Sequence, residues 1–342
     1  MKVFIIGGTG LISSAISAQL CARGDDVVLF NRGLSRNRVG ASLRHIAGDR
    51  NDEAALGAAL ARELPDAVID MMAFSPAQAE ALVRACDGRT PQLLVCSSVC
   101  VYGGPLTKLP ADDDEPHRSV GDYGRNKSAI ERIVLSRPRG AATVLRPSFS
   151  TGEGATASGL VFDDSTVSRL RQGLPVVVMD EGMAAWAISH VDDVAGGFVG
   201  ALGNPAAMGQ AYHLTSDEHT TWNGVFQALA EAAGAPPPKF AHIPSDWLYA
   251  QAPRRSVGIQ YIFRYPSVFN NAKAARDLGF KTRVSLRETF RRQIAWMEAE
   301  GLLKETGQEH VQDELAQAWQ EHRPVRAGSF EDCNPWGNGT TG

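Results

Sequence analysis

The stretch from Met1 to Ala22 most constrains what this chain can fold into. A short apolar β-type run, Val3-Phe4-Ile5-Ile6, feeds the glycine-rich segment Gly7-Gly8-Thr9-Gly10-Leu11-Ile12-Ser13. A helix follows, with Ile12, Ile16 and Leu20 on one face. That order sets a helix N-terminus just after a buried strand, where backbone N–H groups and the helix dipole hold a phosphate. Gly7 and Gly10 let the backbone turn tightly and approach an anion with no Cβ in the way. An ordinary strand–helix turn would share these glycines. However, Cys21-Ala22-Arg23-Gly24 closes the helix and Val27-Val28-Leu29-Phe30 opens a second strand, completing a β-α-β unit at dinucleotide-binding spacing.

Strands and helices keep alternating beyond this unit. Leu43 to Ala47 reads as a third strand ending at Gly48-Asp49, Glu53 to Leu64 as an alanine-rich helix, and Ala67 to Met72 as a fourth strand. Pro76 to Cys86 is the next helix and Leu93 to Cys96 the fifth strand. Continuously apolar strands between helices indicate an α/β fold, a Rossmann-type doubly wound parallel sheet covered on both faces. Ligands of such sheets bind beyond the carboxyl ends of the strands, where Ser97-Ser98 falls. After Pro175 the character changes. Val176 to Met179 and Ala211 to Leu214 read as strands, Trp222 to Ala233 and Leu286 to Glu300 as helices, and Ala235-Pro236-Pro237-Pro238 as a stiff connector. The tail from Arg323 has loop composition and is expected to be mobile or to cover a neighbour.

Composition narrows the partners. A formal net charge of -4 argues against a general nucleic-acid or membrane-surface binder. The five cysteines are odd in number and show no Cys-x-x-Cys spacing, so a reduced, cytoplasmic setting is expected rather than a disulfide framework or zinc site. No signal peptide is visible, and no run approaches the ~20 apolar residues of a membrane span. His190, His213 and His242 read as structural histidines, and no metal site is expected.

At the end of the second strand, Asn31-Arg32 offers no acid to bind the ribose 2′-hydroxyl of NAD. Arg32, Arg36 and Arg38 crowd the loop that follows, which leans the cofactor expectation toward NADP, with a solvated basic loop as the alternative. Further on, Asp112-Asp113-Asp114-Glu115 reads as a solvated acidic loop. Tyr123 and Lys127 then stand four apart, sharing a face if helical, just ahead of a helix from Ser128 to Leu135. A phenol is a poor base at neutral pH, and a lysine cation beside it favours the phenolate, bringing it within range of proton transfer.

Together these residues resemble the extended short-chain dehydrogenase/reductases, the NAD-dependent epimerase/dehydratase family. Gly7 to Ser13 is similar to the family's G-x-x-G-x-x-G turn with Ser13 in place of the third glycine, which leaves room for helix and strand to pack slightly further apart. Gly48-Asp49 resembles its adenine-contacting aspartate. Ser97 to Gly103 is similar to S-S-x-x-V-Y-G, and Tyr123 to Lys127 matches Y-x-x-x-K, followed by Glu131. Leu145-Arg146-Pro147, Ile188 to Val194, and Asn270 to Lys273 are further landmarks. The resemblance implies Ser98, Tyr123 and Lys127 as catalytic residues. It implies Gly7, Gly10, Leu11, Ile12, Asn31, Arg32, Asp49 and Lys127 around an NAD(P) cofactor. It also implies a dinucleotide-binding domain over residues 1–175, joined by later strands from 185–216, with a smaller substrate domain over 176–322.

Two departures from the family bear on function. Val99 and Cys100 stand where its dehydratases carry an acid pair, so a dehydratase is not expected. Trp186 stands where nucleotide-sugar enzymes place a diphosphate-contacting arginine, and an aromatic ring cannot neutralise a diphosphate. Trp186 is therefore a candidate substrate contact, with Arg254, Arg255 or Arg264 as replacement cations and Arg264 favoured. The expectation is an epimerase or oxidoreductase moving a hydride at a carbinol carbon of a sugar-like substrate. An NADP-linked ketone or aldehyde reductase is the close rival, and a non-catalytic RNA-binding relative the rival of another class. A small-molecule substrate is expected, a homodimer is allowed, and neither nucleic acid nor membrane is expected as partner.

Overall fold

In the computed structural model, which describes residues 1–34, 39, 43–137, 141–156, 165–306 and 310–326, the opening unit forms as its sequence dictates. β1 (Lys2–Ile6) leads into α1 (Leu11–Arg23) and β2 (Asp26–Asn31). Alternate residues of β1 face opposite ways. Val3 and Ile5 pack with Ile16 and Leu20 of α1, while Phe4 and Ile6 pack with apolar residues of the other face. The strand is thus buried on both sides, as its unbroken apolar run requires.

The chain continues through β3 (Arg44–Ala47), α2 (Glu53–Glu63), β4 (Ala67–Asp70), α3 (Pro76–Cys86), β5 (Gln92–Cys96), α4 (Asp122–Leu135) and β6 (Ala141–Pro147). Four short strands follow: β7 (Phe149–Thr151), β8 (Val176–Met179), β9 (Ala185–Trp186) and β10 (Ile188–His190). The helix α5 (Thr166–Arg171) precedes β8, α6 (Val191–Ala201) follows β10, and β11 (Ala211–Leu214) returns to the main sheet. That sheet has seven strands in the order β11-β6-β5-β4-β1-β2-β3, and all its pairings are parallel. The order reverses at β1, which lies between β2 and β4, so a crevice opens there beyond the carboxyl ends. Helices α1 and α6 cover one face, and α2, α3 and α4 the other.

A separate apolar cluster gathers Trp222 and Phe226 of α7 (Trp222–Ala232) with Phe290 and Ile294 of α8 (Leu286–Ala299), against Val176 and Val178 of β8. It carries the far wall of the cavity described below.

The structure revises three local expectations. Helix α4 begins at Asp122, not Ser128, so Tyr123 and Lys127 lie one turn apart on a single helix. The acidic run is not merely solvated. Glu115 is buried, accepts from Thr107 N–H and pairs with Arg118, and Asp113 accepts the N–H of His213. The start of the tail is tied down as well, with Arg323 pairing with Glu314 at 2.8 Å, whereas residues 327–342 lie outside the described residues.

α4 lies tightly on the turn that follows β5. A Cβ on Gly124 would come 2.4 Å from the carbonyl oxygen of Cys100. Backbone cannot yield as a side-chain end does, so Gly124→Ala should cost about 1–3 kcal/mol by overpacking. Urea unfolding tests this, and an unchanged midpoint would contradict the close helix–turn contact.

Candidate active site

A cavity of about 560 Å³ opens at the carboxyl ends of the central strands, and Gly10, Leu11, Ile12, Ser98, Tyr123 and Lys127 all contribute to its lining. Three sequence elements meet here for separate local reasons. The turn after β1 holds Gly7 and Gly8 at φ of 107° and 89°, values that favour glycine. Ser13, in place of the motif's third glycine, accepts a hydrogen bond from Gly10 N–H at 2.9 Å and so braces the turn. Gly10 caps α1 with no side-chain bond to the first turn, and no acid lies in that turn. The helix end is therefore left to an anion from outside, which fits a dinucleotide diphosphate.

β5 ends at Ser97-Ser98, and Ser98 accepts the N–H of Cys100 at 3.2 Å, starting a short 3₁₀ turn over Val99–Val101. Ser98 is also hydrogen-bonded to the Tyr123 hydroxyl. Lys127 is almost wholly buried, and its ammonium donates to Ala73 O and Cys96 O at 2.8 Å each. It sits 4.7 Å from the centre of the Phe74 ring and 5.7 Å from that of Tyr123. Two carbonyls and two ring faces thus stabilise the buried cation.

The nearby Lys127 does not bring the phenol below its ordinary range. Burial pushes the Tyr123 hydroxyl well above the ordinary phenol range, and Ser98 only partly offsets this. Burial likewise lowers Lys127, and it pushes the Cys96 thiol up to about 11. A phenol so placed is protonated at neutral pH.

Beneath the turn after β5 lies a buried polar network. Glu131 accepts from Ser97 Oγ and from Arg146, whose Nη2 lies 2.6 Å from Glu131 Oε2. Arg146 Nη1 donates to the Tyr102 hydroxyl at 2.6 Å, leaving that hydroxyl to donate to His213 Nε2 at 2.6 Å. His213 Nδ1 then faces Asn270 O, which requires the neutral ring protonated on Nδ1. Arg146 Nη2 also faces His117 Nε2 at 3.2 Å, with His117 Nδ1 toward Ser128 Oγ, so His117 is neutral too.

The remaining sequence candidates are placed less simply. Asn31 spends its side chain on Gly7 O and Gly33 N–H, and His45 Nε2 lies 3.0 Å from its Oδ1. Arg32 is exposed beside it, Asp49 is exposed after β3, and Arg36 and Arg38 lie outside the described residues. Trp186 does line the cavity, but as packed wall. Its indole donates to Tyr265 O at 2.9 Å, and its ring packs tilted against Trp222 and edge-to-face with Phe263. Arg264 is not brought to the site. It pairs with Asp246 at 2.6 Å, and Arg255 lines the cavity instead. Glu153, His190 and Asp192 bring potential metal ligands within 4.8 Å of one another, yet His190 faces Glu153 through Nε2 and accepts Asp192 N–H on Nδ1. Sequence reasoning missed Phe149, Ile259 and Phe263. The last two stand four apart in a single π-helical turn, Ile259–Phe263, a spacing visible in the sequence but unremarkable without its neighbours.

Residues 3–215 match the model of the NAD dependent epimerase/dehydratase family, and the chain belongs to that family. It is similar to a 2'-dehydrokanamycin reductase of Streptomyces kanamyceticus, 28% identical over 73% of this chain and 72% of that protein. It is also similar to a chloroplast stem-loop binding protein of 41 kDa from Arabidopsis thaliana, 27% identical over 70% of this chain and 65% of that one. The fold matches the crystal structure of a UDP-glucose 4-epimerase from Bifidobacterium longum in complex with NAD+ and UDP. There the TM-score is 0.72 at 20% identity, covering 89% of this chain and 100% of the other. Among the described residues, no helix is long and apolar enough to cross a membrane.

The network makes stability pH-dependent in a stated direction. Burial holds both His117 and His213 below the ordinary histidine value of 6.5, so folding favours their neutral forms. Their contribution is present above that value and is lost as pH falls through the lower folded values. The unfolding free energy should therefore decline on acidification below about 6.5, less steeply in His213→Gln. Denaturant unfolding across that range tests this, and stability that is flat or rising toward acid would contradict the neutral assignment.

Proposed function

We propose that this chain is a nicotinamide-dependent reductase that converts a ketone to a secondary alcohol. The observation that carries the reading is the convergence of Ser98, Tyr123 and Lys127 on one cavity with the open N-terminus of α1. Gly10, Leu11 and Ile12 would hold the cofactor diphosphate. Lys127 would anchor the nicotinamide ribose, and Asn31, Arg32 and Asp49 flank the adenosine side. When bound, the cofactor supplies the hydride. Ser98 orients the substrate oxygen by a hydrogen bond, Tyr123 gives it a proton, and the Lys127 cation stabilises the phenolate left behind.

Reduction is favoured over epimerisation by how few cations the described lining offers as a grip: besides Lys127 it holds only Arg255, which has a protein interaction of its own. An epimerase must retain its ketone intermediate while turning it over, which calls for an anchor remote from the reacting carbon. Trp186 occupies the position of the expected anchoring arginine, and Arg264 is committed to Asp246. The similarity to a named reductase agrees with this reading. The stem-loop binding relative favours a second reading, RNA binding without catalysis. The complete Ser98, Tyr123 and Lys127 set and the net charge of -4 weigh against it.

Two measurements check the reading. Tyr123→Phe should lower turnover by ~10²–10⁴-fold while cofactor affinity stays near wild type. Wild-type turnover in that variant would remove Tyr123 from the chemistry. For the cofactor, no carboxylate closes β2, so NADPH should bind at least as tightly as NADH, and Arg32→Ala should erase any advantage. Fluorescence titration with both dinucleotides decides this, and a clear preference for NADH would return Arg32 to the role of an ordinary surface residue.

A further inference from the structure

The substrate end of the cavity has a composition that the catalytic residues do not explain. Phe149, Met179, Trp186, Ile259 and Phe263 converge on it from separate segments and present an apolar, largely aromatic wall. Hydroxyl groups are present, and three of them have committed their protons. Ser148 Oγ donates to Ala187 O at 3.0 Å, Ser150 Oγ to Ser148 O at 3.0 Å, and Thr151 Oγ1 to Gln293 Oε1 at 2.8 Å. Each hydroxyl has one proton, so these three offer a ligand lone pairs but no donor. Among the described lining residues there is no carboxylate, and the only cationic side chains are Lys127 and Arg255. Lys127 is held by two carbonyls, and Arg255 has a protein interaction of its own.

Such a wall serves neither a diphosphate nor a polycation. It also serves a polyol poorly. The few hydroxyl oxygens left to accept cannot serve every ring hydroxyl that leaves water, and an unmatched one loses its hydration without replacement. The carbonyl oxygen is the exception, since Ser98 and Tyr123 meet it.

We propose that the site takes an uncharged ketone flanked by apolar, ring-bearing substituents with few hydroxyls, and not a free sugar or a nucleotide sugar. This rests on the reductase reading above. In the reaction the carbonyl carbon gains the hydride from the reduced nicotinamide and its oxygen gains the Tyr123 proton. The alcohol and the oxidised cofactor leave, and solvent reprotonates Tyr123.

The test uses full-length enzyme loaded with reduced cofactor and four probes: 4-phenylcyclohexanone, cyclohexanone, its pentahydroxy analogue 2-keto-myo-inositol, and UDP-glucose. Binding is read by calorimetry, and ketone reduction by loss of reduced-nicotinamide absorbance. The expected result is binding and reduction of 4-phenylcyclohexanone with kcat/KM about 10²-fold or more above the pentahydroxy analogue. Phe149→Ala should weaken the phenyl-bearing probe by about tenfold, with a much smaller effect on cyclohexanone. Tighter binding of 2-keto-myo-inositol or UDP-glucose would overturn the substrate class and leave hydride transfer standing. Cofactor binding with no ketone bound would overturn the class as well. Ketone binding without reduction, or no cofactor binding, would instead overturn the reductase reading.

Discussion

The site depends on one buried ion pair, Glu131 with Arg146. Both side chains are almost wholly removed from water, a costly arrangement unless every lone pair and N–H is matched. Here the matching is what assembles the site. Glu131 belongs to α4, which carries Tyr123 and Lys127, and it accepts from Ser97, the neighbour of Ser98. Arg146 belongs to β6 and reaches Tyr102, Asp113 O and His117. The pair therefore fixes the helix, the strand end and the connecting loop relative to one another. Ser98 and Tyr123 meet because their neighbours are locked to the same carboxylate.

Electrostatics then divides the labour around the cavity. The α1 N-terminus offers uncapped N–H groups where a diphosphate would lie. Lys127 supplies one buried cation, held by Ala73 O and Cys96 O, where negative charge must develop. Elsewhere the described lining is mostly apolar, apart from Arg255 and a few Ser and Thr hydroxyls. A medium of low polarity strengthens the few charges present and favours the protonated form of Tyr123. On the proposed reading, a proton-donating phenol and an apolar substrate wall are two consequences of the same exclusion of water.

Much of this was legible in the sequence, and the reasons are local. The β1–α1 turn is written in consecutive residues, so the strand, its glycines and the helix could be read without neighbours. Tyr123 and Lys127 announce themselves by spacing once a helix is granted, although that helix starts six residues earlier than its apolar pattern indicates. The acidic run misled because charge alone was visible. Glu115 is buried because Thr107 and Arg118 satisfy it, and Asp113 is used by His213, a hundred residues away. The same limit hid the substrate wall. Phe149, Ile259 and Phe263 gain meaning only from the fold that brings them to Trp186, and Arg264 lost its assigned role only because Asp246 lies within reach.

The claim at the centre is that a hydride enters the carbon whose oxygen Tyr123 protonates. Reduced cofactor carrying deuterium on the transferred face of the nicotinamide, incubated with enzyme and 4-phenylcyclohexanone, tests it most directly. The account predicts an alcohol with one deuterium on the carbinol carbon, formed mole for mole with released oxidised cofactor. Alcohol lacking the label, or cofactor oxidised with no alcohol formed, would contradict it.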